Sequence, residues 1–327
     1  MDSTEEDMKL VGFFGIFKHS FKTIFSWNKI FVQITLTLIL PLTVVYLAHT
    51  EISDLFFWRM EDNSSPSDSN NQNTTVTDWL YYWLFNILYF TLITVFSLLS
   101  TATVVFTVAS VYSDRDVVFR QVMKIVPQVW KKLLLTFVFI YITLFIYNVM
   151  NDVVTFISRS VFGYSIYGTV IILILYVLGL LYLTVVWQLA SVVTVLENIR
   201  GFNAMKKGKM LVNGKKIVGM GIAFVLYGIL LGLITVYQLF VEFGDEISGL
   251  ATIWRVLIGI LCVILLTMLF LLFIVMQTVL YLVCKSYHRE AVDKLGLLTF
   301  LSAYMAETVV YGEEIQLGKP QPPAEQV

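Results

Sequence analysis

The chain has 327 residues, 58% of them hydrophobic and only 14% charged, with a mean hydropathy of +0.80. Soluble domains carry about 25% charged residues, and a chain this apolar has too few polar side chains to cover a water-facing surface, so composition excludes a water-soluble globule and requires a bilayer. A net charge of −1 excludes bulk attraction to nucleic acid.

Residues 1–30 form a cytosolic leader that begins acidic (Asp2, Glu5, Glu6, Asp7) and turns basic and aromatic. Phe13, Phe14, Phe17, Phe21 and Phe25 recur mostly at three- and four-residue steps, with Lys18 and Lys22 between them. That spacing suits an amphipathic helix in the membrane interface, and equally a plain helical leader into the first span. The apolar core begins near residue 30, too far in and too long for a cleavable signal peptide.

The membrane domain, residues 31–284, reads as six spans. The first is 31–50, kinked at Pro41; a hydrophilic loop, 51–78, follows, with a centre poor in apolar residues and expected to be disordered. The loop holds two glycosylation sequons, at Asn63 and Asn73; Pro66 handicaps the first. Residues 79–113 carry no charge and predict one long tilted helix with a polar end of Ser100, Thr101, Thr103, Thr107 and Ser110. A basic segment at 114–132 leads to the third span, 133–150; a short neutral turn, 151–167, leads to the fourth, 168–196. A second basic segment, 202–216, with Lys206, Lys207, Lys209, Lys215 and Lys216, precedes the fifth span, 217–240. An acidic turn (Glu242, Asp245, Glu246) precedes the sixth, 252–284. The cytosolic tail, 285–327, contains an amphipathic run at 292–310 and a Pro-rich end expected to be disordered.

Of the 22 Lys and Arg residues, only Arg59, Arg159 and Arg255 fall on the far side of this arrangement. The positive-inside rule then puts both termini in the cytosol. The three basic leads also resemble one another: each starts at a Phe (Phe17, Phe119, Phe202), places Lys four or five residues on (Lys22, Lys124, Lys206), and opens a shorter span, a turn and a longer span. The expected fold is therefore all-α: six transmembrane helices in three parallel helix-pair repeats with interfacial amphipathic segments.

The run from Ala190 to Lys216, ASVVTVLENIRGFNAMKKGKMLVNGKK, resembles a group of plant multi-span membrane proteins of unassigned activity. It is similar, more distantly, to the membrane domain accompanying some bacterial glycerophosphodiester phosphodiesterases. The resemblance covers the spans, rests on Glu197, Gly201, Ala204 and Lys206, and implies a six-helix membrane domain. The phosphodiesterase barrel and its metal carboxylates have no counterpart here, so no activity carries over.

No Asp, Glu, Lys, Arg or His lies mid-span, and no HExxH, P-loop or GxSxG motif occurs, so neither catalysis nor a cofactor is expected. His288 reads as a solvated helix end. Gln33, Asn86, Asn148, Gln188, Gln238 and Gln277 do lie in spans, as interhelical hydrogen-bond formers or as a path for a small uncharged solute. Gly228 and Gly232 form a small-residue face in the fifth span, with Gly219 and Gly221 one to two turns earlier, all suited to close helix packing. Cys262 and Cys284 lie about 33 Å apart on one helix and cannot pair with each other; Cys284, at the membrane edge, is a palmitoylation candidate. The five lysines of 202–216 are candidates for anionic-lipid contact. The expected role is a non-enzymatic membrane-shaping or partner-recruiting scaffold of a eukaryotic endomembrane or plasma membrane, its partners being membrane lipids, cytosolic proteins or further copies of itself. The alternative is a transporter or channel for an uncharged or lipid-like molecule. A solid, fully packed bundle interior with amphipathic segments flat on one leaflet would favour the scaffold, and an acidic or histidine pair facing inward would favour the transporter.

Overall fold

The structure, a computed structural model, describes residues 12–63, 72–113, 119–162, 166–197, 199–243 and 251–288. No strand occurs among them. The expected tail helix at 292–310, the Pro-rich end, Asp245 and Glu246 of the acidic turn and the loop centre at 64–71 lie outside the described residues.

Helix α1 is Phe13–Ser26; the first span is α2, Asn28–Ile34, a π-turn, Thr35–Ile39, and α3, Leu40–Asn63. Then come α4, Gln72–Tyr112; α5, Phe119–Phe162; α6, Ile166–Leu196; α7, Phe202–Val212; α8, Lys216–Tyr237, closed by a second π-turn, Gln238–Glu242; and α9, Thr252–Tyr287. Six of these stretches are long and apolar enough to cross a membrane, as expected of a multi-pass membrane protein. The first π-turn explains itself locally. Pro41 has no N–H for the Thr37 carbonyl and its ring crowds that oxygen; widening the helix just before it, with Leu40 N–H bonded to the Thr35 carbonyl, relieves the clash.

Two expectations are corrected. The hydrophilic stretch 51–78 is largely helical, because α3 continues to Asn63 and α4 begins at Gln72. Of the turn expected at 151–167, residues 151–162 and 166–167 are helical, since α5 runs to Phe162 and α6 begins at Ile166. The reason is the same in both places. No Gly or Pro interrupts residues 42–65 or 128–162, so a helix nucleated in the membrane propagates past its edge at little cost per residue. The three leads also differ in form. Those of the first and third units are separate helices, α1 and α7, whereas the second runs unbroken through Pro127 into its span.

The spans make three hairpins, α3–α4, α5–α6 and α8–α9, each tied within itself toward the end remote from the basic segments. In the first, the His49 ring stacks on Tyr89, with centroids 3.6 Å apart, and Asn86 Oδ1 accepts from its Nε2 at 3.2 Å. In the second, Tyr147 donates to the Tyr176 carbonyl and Tyr176 to Asn148 Oδ1, each at 2.9 Å. In the third, Arg255 Nη2 donates to the Val241 carbonyl at 2.7 Å, capping the end of the α8 π-turn. The hairpins meet one another toward the basic end. Burial there is near continuous along α4 from Leu98 to Ser110, α6 from Thr184 to Leu196 and α9 from Ile274 to Cys284, while Leu80–Leu92 of α4 and Ile166–Leu178 of α6 bear many exposed apolar side chains. Helix α9 is central, packed against α1, α3, α4, α6, α7 and α8.

Candidate functional site

Where the three hairpins diverge, all six spans border a cavity of about 380 Å³, each contributing at least one side chain: Tyr46, Thr101, Phe137, Gln188, Tyr227 and Gln277. None of its lining residues is Asp, Glu, Lys, Arg or His. Hydroxyls and amides supply its polarity, chiefly from Ser97, Thr184 and Ser191 beside Thr101, Gln188 and Gln277. Gln277 lies ten residues before the end of α9 and Ser191 five before the end of α6, which sets the cavity about 8–15 Å inside the basic end. Two lining donors, Trp187 Nε1 and Gln188 Nε2, are buried with no hydrogen-bond partner among the described residues. An unmet buried donor costs roughly 1–3 kcal/mol, and an acceptor placed beside these two would recover that cost.

Between this cavity and the basic end lies an ionic knot. Glu197 ends α6; Lys207 of α7 reaches its Oε2 at 2.5 Å, and Lys285 of α9 reaches Oε1 at 2.9 Å. Tyr281 donates to the same Oε1 at 2.5 Å. Burial pushes the Glu197 carboxyl up, but the hydrogen bonds from Lys207, Tyr281 and Lys285 prevail and hold its pKa below the ordinary carboxylate value. Nearby, the Thr136 and Thr194 hydroxyls lie 2.9 Å apart, and Thr136 Oγ1 accepts the Gly201 N–H at 2.9 Å. Gly201 turns the chain from α6 to α7 at φ +62°, a region that favours glycine. Thr136→Val leaves that buried N–H without its acceptor and should cost about 1–3 kcal/mol, read as a lower thermal midpoint in nanodiscs with no change in helix content.

The lysines expected to meet lipid separate into two groups. Lys206, Lys209 and Lys216 are exposed. Lys207 is engaged by Glu197, and Lys215 sits 5.5 Å from the centre of the Tyr287 ring. Cys284 is buried, 1% exposed, so this packing keeps its thiol from the acyl donor that palmitoylation needs. His288 is not simply a solvated helix end, since its Nε2 lies 3.2 Å from the Leu211 carbonyl. Asn63 ends α3, and Asn73 stands in the first turn of α4. Of the polar span residues, Asn86 and Asn148 bond between helices, and Gln188 and Gln277 line the cavity. The close-packing expectation fails at Gly228 and Gly232, where a Cβ would meet nothing within 4 Å. It holds at Gly219, where a Cβ would stand 2.9 Å from Val185. Sequence reasoning missed Trp187, Thr136, Tyr281 and Lys285 as site residues; only Glu197, a lone acid directly after a long charge-free run, was a visible signal.

Neither a curated protein sequence nor a solved structure matches the chain. One family profile does, that of the Domain of unknown function (DUF8558), over residues 1–320, and the chain belongs to that family.

Proposed function

We propose that this multi-pass membrane protein binds an uncharged amphipathic small molecule inside its six-helix bundle and carries it within or across the bilayer. The observation that supports this is the charge-free cavity with two unmet donors, Trp187 Nε1 and Gln188 Nε2. A scaffold needs no such space, and burying unsatisfied polar groups at membrane depth is costly unless something uses them. The lining selects by chemistry. A charged guest would find no counter-ion, whereas a molecule with a carbonyl, ether or hydroxyl oxygen on an apolar body meets both its requirements. The test is equilibrium binding of radiolabelled diacylglycerol and sterol to the protein in nanodiscs. Trp187→Phe and Gln188→Leu should each weaken binding about tenfold; saturable binding that both substitutions leave untouched refutes the reading, as does the absence of saturable binding to either probe.

A second reading, leaflet shaping, draws on α1. Its inner face packs through Ile16 and Ser20, while Phe14 (83% exposed) and Phe25 (73%) stand outward alongside exposed Lys18 and Lys22. Phe14→Ser combined with Lys18→Gln and Lys22→Gln, none of them lining the cavity, should abolish any tubulation of anionic vesicles and leave diacylglycerol binding unchanged. Both readings place the basic end in the cytosol. Protease added outside sealed microsomes should then cut both termini and spare the segment around residues 64–71.

A further inference from the structure

A second void borders the bundle on its flank. It is a groove of about 690 Å³ between α1–α2 with the adjoining π-turn on one side and α8 and α9 on the other. Its walls include Val32 (51% exposed), Leu36 (59%), Ile229 (45%) and Met268 (53%), all in spans, so the groove opens sideways at bilayer depth. Only Asn28 and Thr35 among its lining residues are polar, and none is charged. At that depth the surroundings are hydrocarbon, which makes the occupant of such a groove a lipid-like molecule and not water.

The groove and the central cavity share one lining residue, Leu269. Around it, α9 turns Leu265, Met268 and Leu272 to the groove and Phe270, Phe273 and Gln277 to the cavity. Leu269 is 6% exposed and forms the wall common to both. From the basic end, by contrast, the Glu197 knot clamps α6, α7 and α9 together. The groove is therefore an apolar approach to the shared wall at Leu269, whereas the basic end is tied.

We propose that the cavity is loaded laterally from the membrane: a neutral lipid bearing a hydroxyl or carbonyl head enters the groove, passes Leu269, and seats its head against Trp187 and Gln188. This rests on the cavity reading above and adds both the ligand's source and its class. A leucine side chain is a fitting partition, since it swings between rotamers without breaking any hydrogen bond. The absence of charge from both linings leaves a neutral head group nothing to be exchanged for along the way.

The experiment uses the full chain in nanodiscs containing photoreactive diacylglycerol or photoreactive cholesterol, with adducts mapped by mass spectrometry. Adducts are expected on both sides of α9, at Leu265, Met268 and Leu272 of the groove wall and at Phe270, Phe273 and Gln277 of the cavity wall. Leu269→Trp should lower cavity adducts about tenfold while groove adducts persist. Ile229→Trp fills the groove from an exposed position that leaves the core untouched, and should lower both; it keeps the test decisive if Leu269→Trp fails to fold. Gln188→Leu should lower cavity adducts alone. Cavity adducts that survive both tryptophan variants reject lateral loading and leave the cavity reading standing. A wild-type protein labelled in the groove and never in the cavity rejects the cavity reading, and lateral loading with it.

Discussion

Glu197→Ala should destabilise the protein by about 3 kcal/mol, seen as a large fall in thermal midpoint in nanodiscs. The substitution removes the acceptor shared by Tyr281 and Lys285 and the partner of Lys207, leaving two cations facing each other in a half-buried site. Removing one partner of a buried ion pair costs more than the pair itself contributes, because the remaining charge stays desolvated. The same carboxylate sets an acid dependence. Its folded pKa lies below its ordinary value of 4.5, so its contribution to stability is fully present above that pH and is lost as pH falls through the folded pKa. Wild-type protein should thus lose midpoint on acidification below about pH 4.5, and Glu197→Ala should lose less over the same interval. An identical acid slope in the two proteins would refute the assignment.

Gly208→Leu should detach α7 from α6, and Gly208→Ala should cost about 1–3 kcal/mol. A Cβ at Gly208 would stand 2.8 Å from the Val186 carbonyl oxygen and 3.1 Å from the Ala190 nitrogen. Both are backbone atoms of α6, which cannot swing aside as a side chain does. Since α7 carries Lys207, displacing it also opens the Glu197 knot. The readout is trypsin cleavage at the exposed Lys206 and Lys209, faster in Gly208→Ala and fastest in Gly208→Leu. Gly228→Ala and Gly232→Ala serve as the contrast. Their Cβ atoms enter open space, so alanine's better helix propensity should make them neutral or stabilising by up to about 1 kcal/mol.

That contrast between glycines shows what the sequence could reveal. Charge-free runs and the clustering of Lys and Arg on one side made six membrane-length helices legible, because burying charge in hydrocarbon is costly wherever it occurs. Spacing alone could not tell which small residues meet a neighbour: Gly228 and Gly232 have the motif and Gly208 has the contact. Helix ends were misjudged at 51–63 and 151–162 because hydrophilic side chains mark where the bilayer stops, and a helix need not stop there. The Glu197 knot was invisible for another reason. Its partners come from 10, 84 and 88 residues away, and no local pattern joins Glu197 to Tyr281 or Lys285. Gln188 and Gln277 were recognised as polar span residues, yet a glutamine that bonds a neighbouring helix and one that lines a cavity read alike in a sequence.

The centrality of α9 carries a consequence for biogenesis. During synthesis this segment leaves the ribosome after both earlier hairpins. Those earlier hairpins hold themselves together through His49, Tyr147 and Tyr176, and α4 of the first also packs directly on α5 and α6 of the second. A chain arrested before residue 252 should therefore keep the packing of α4 on α5 and α6 and lack every contact that α9 makes with α1, α3, α4, α6, α7 and α8.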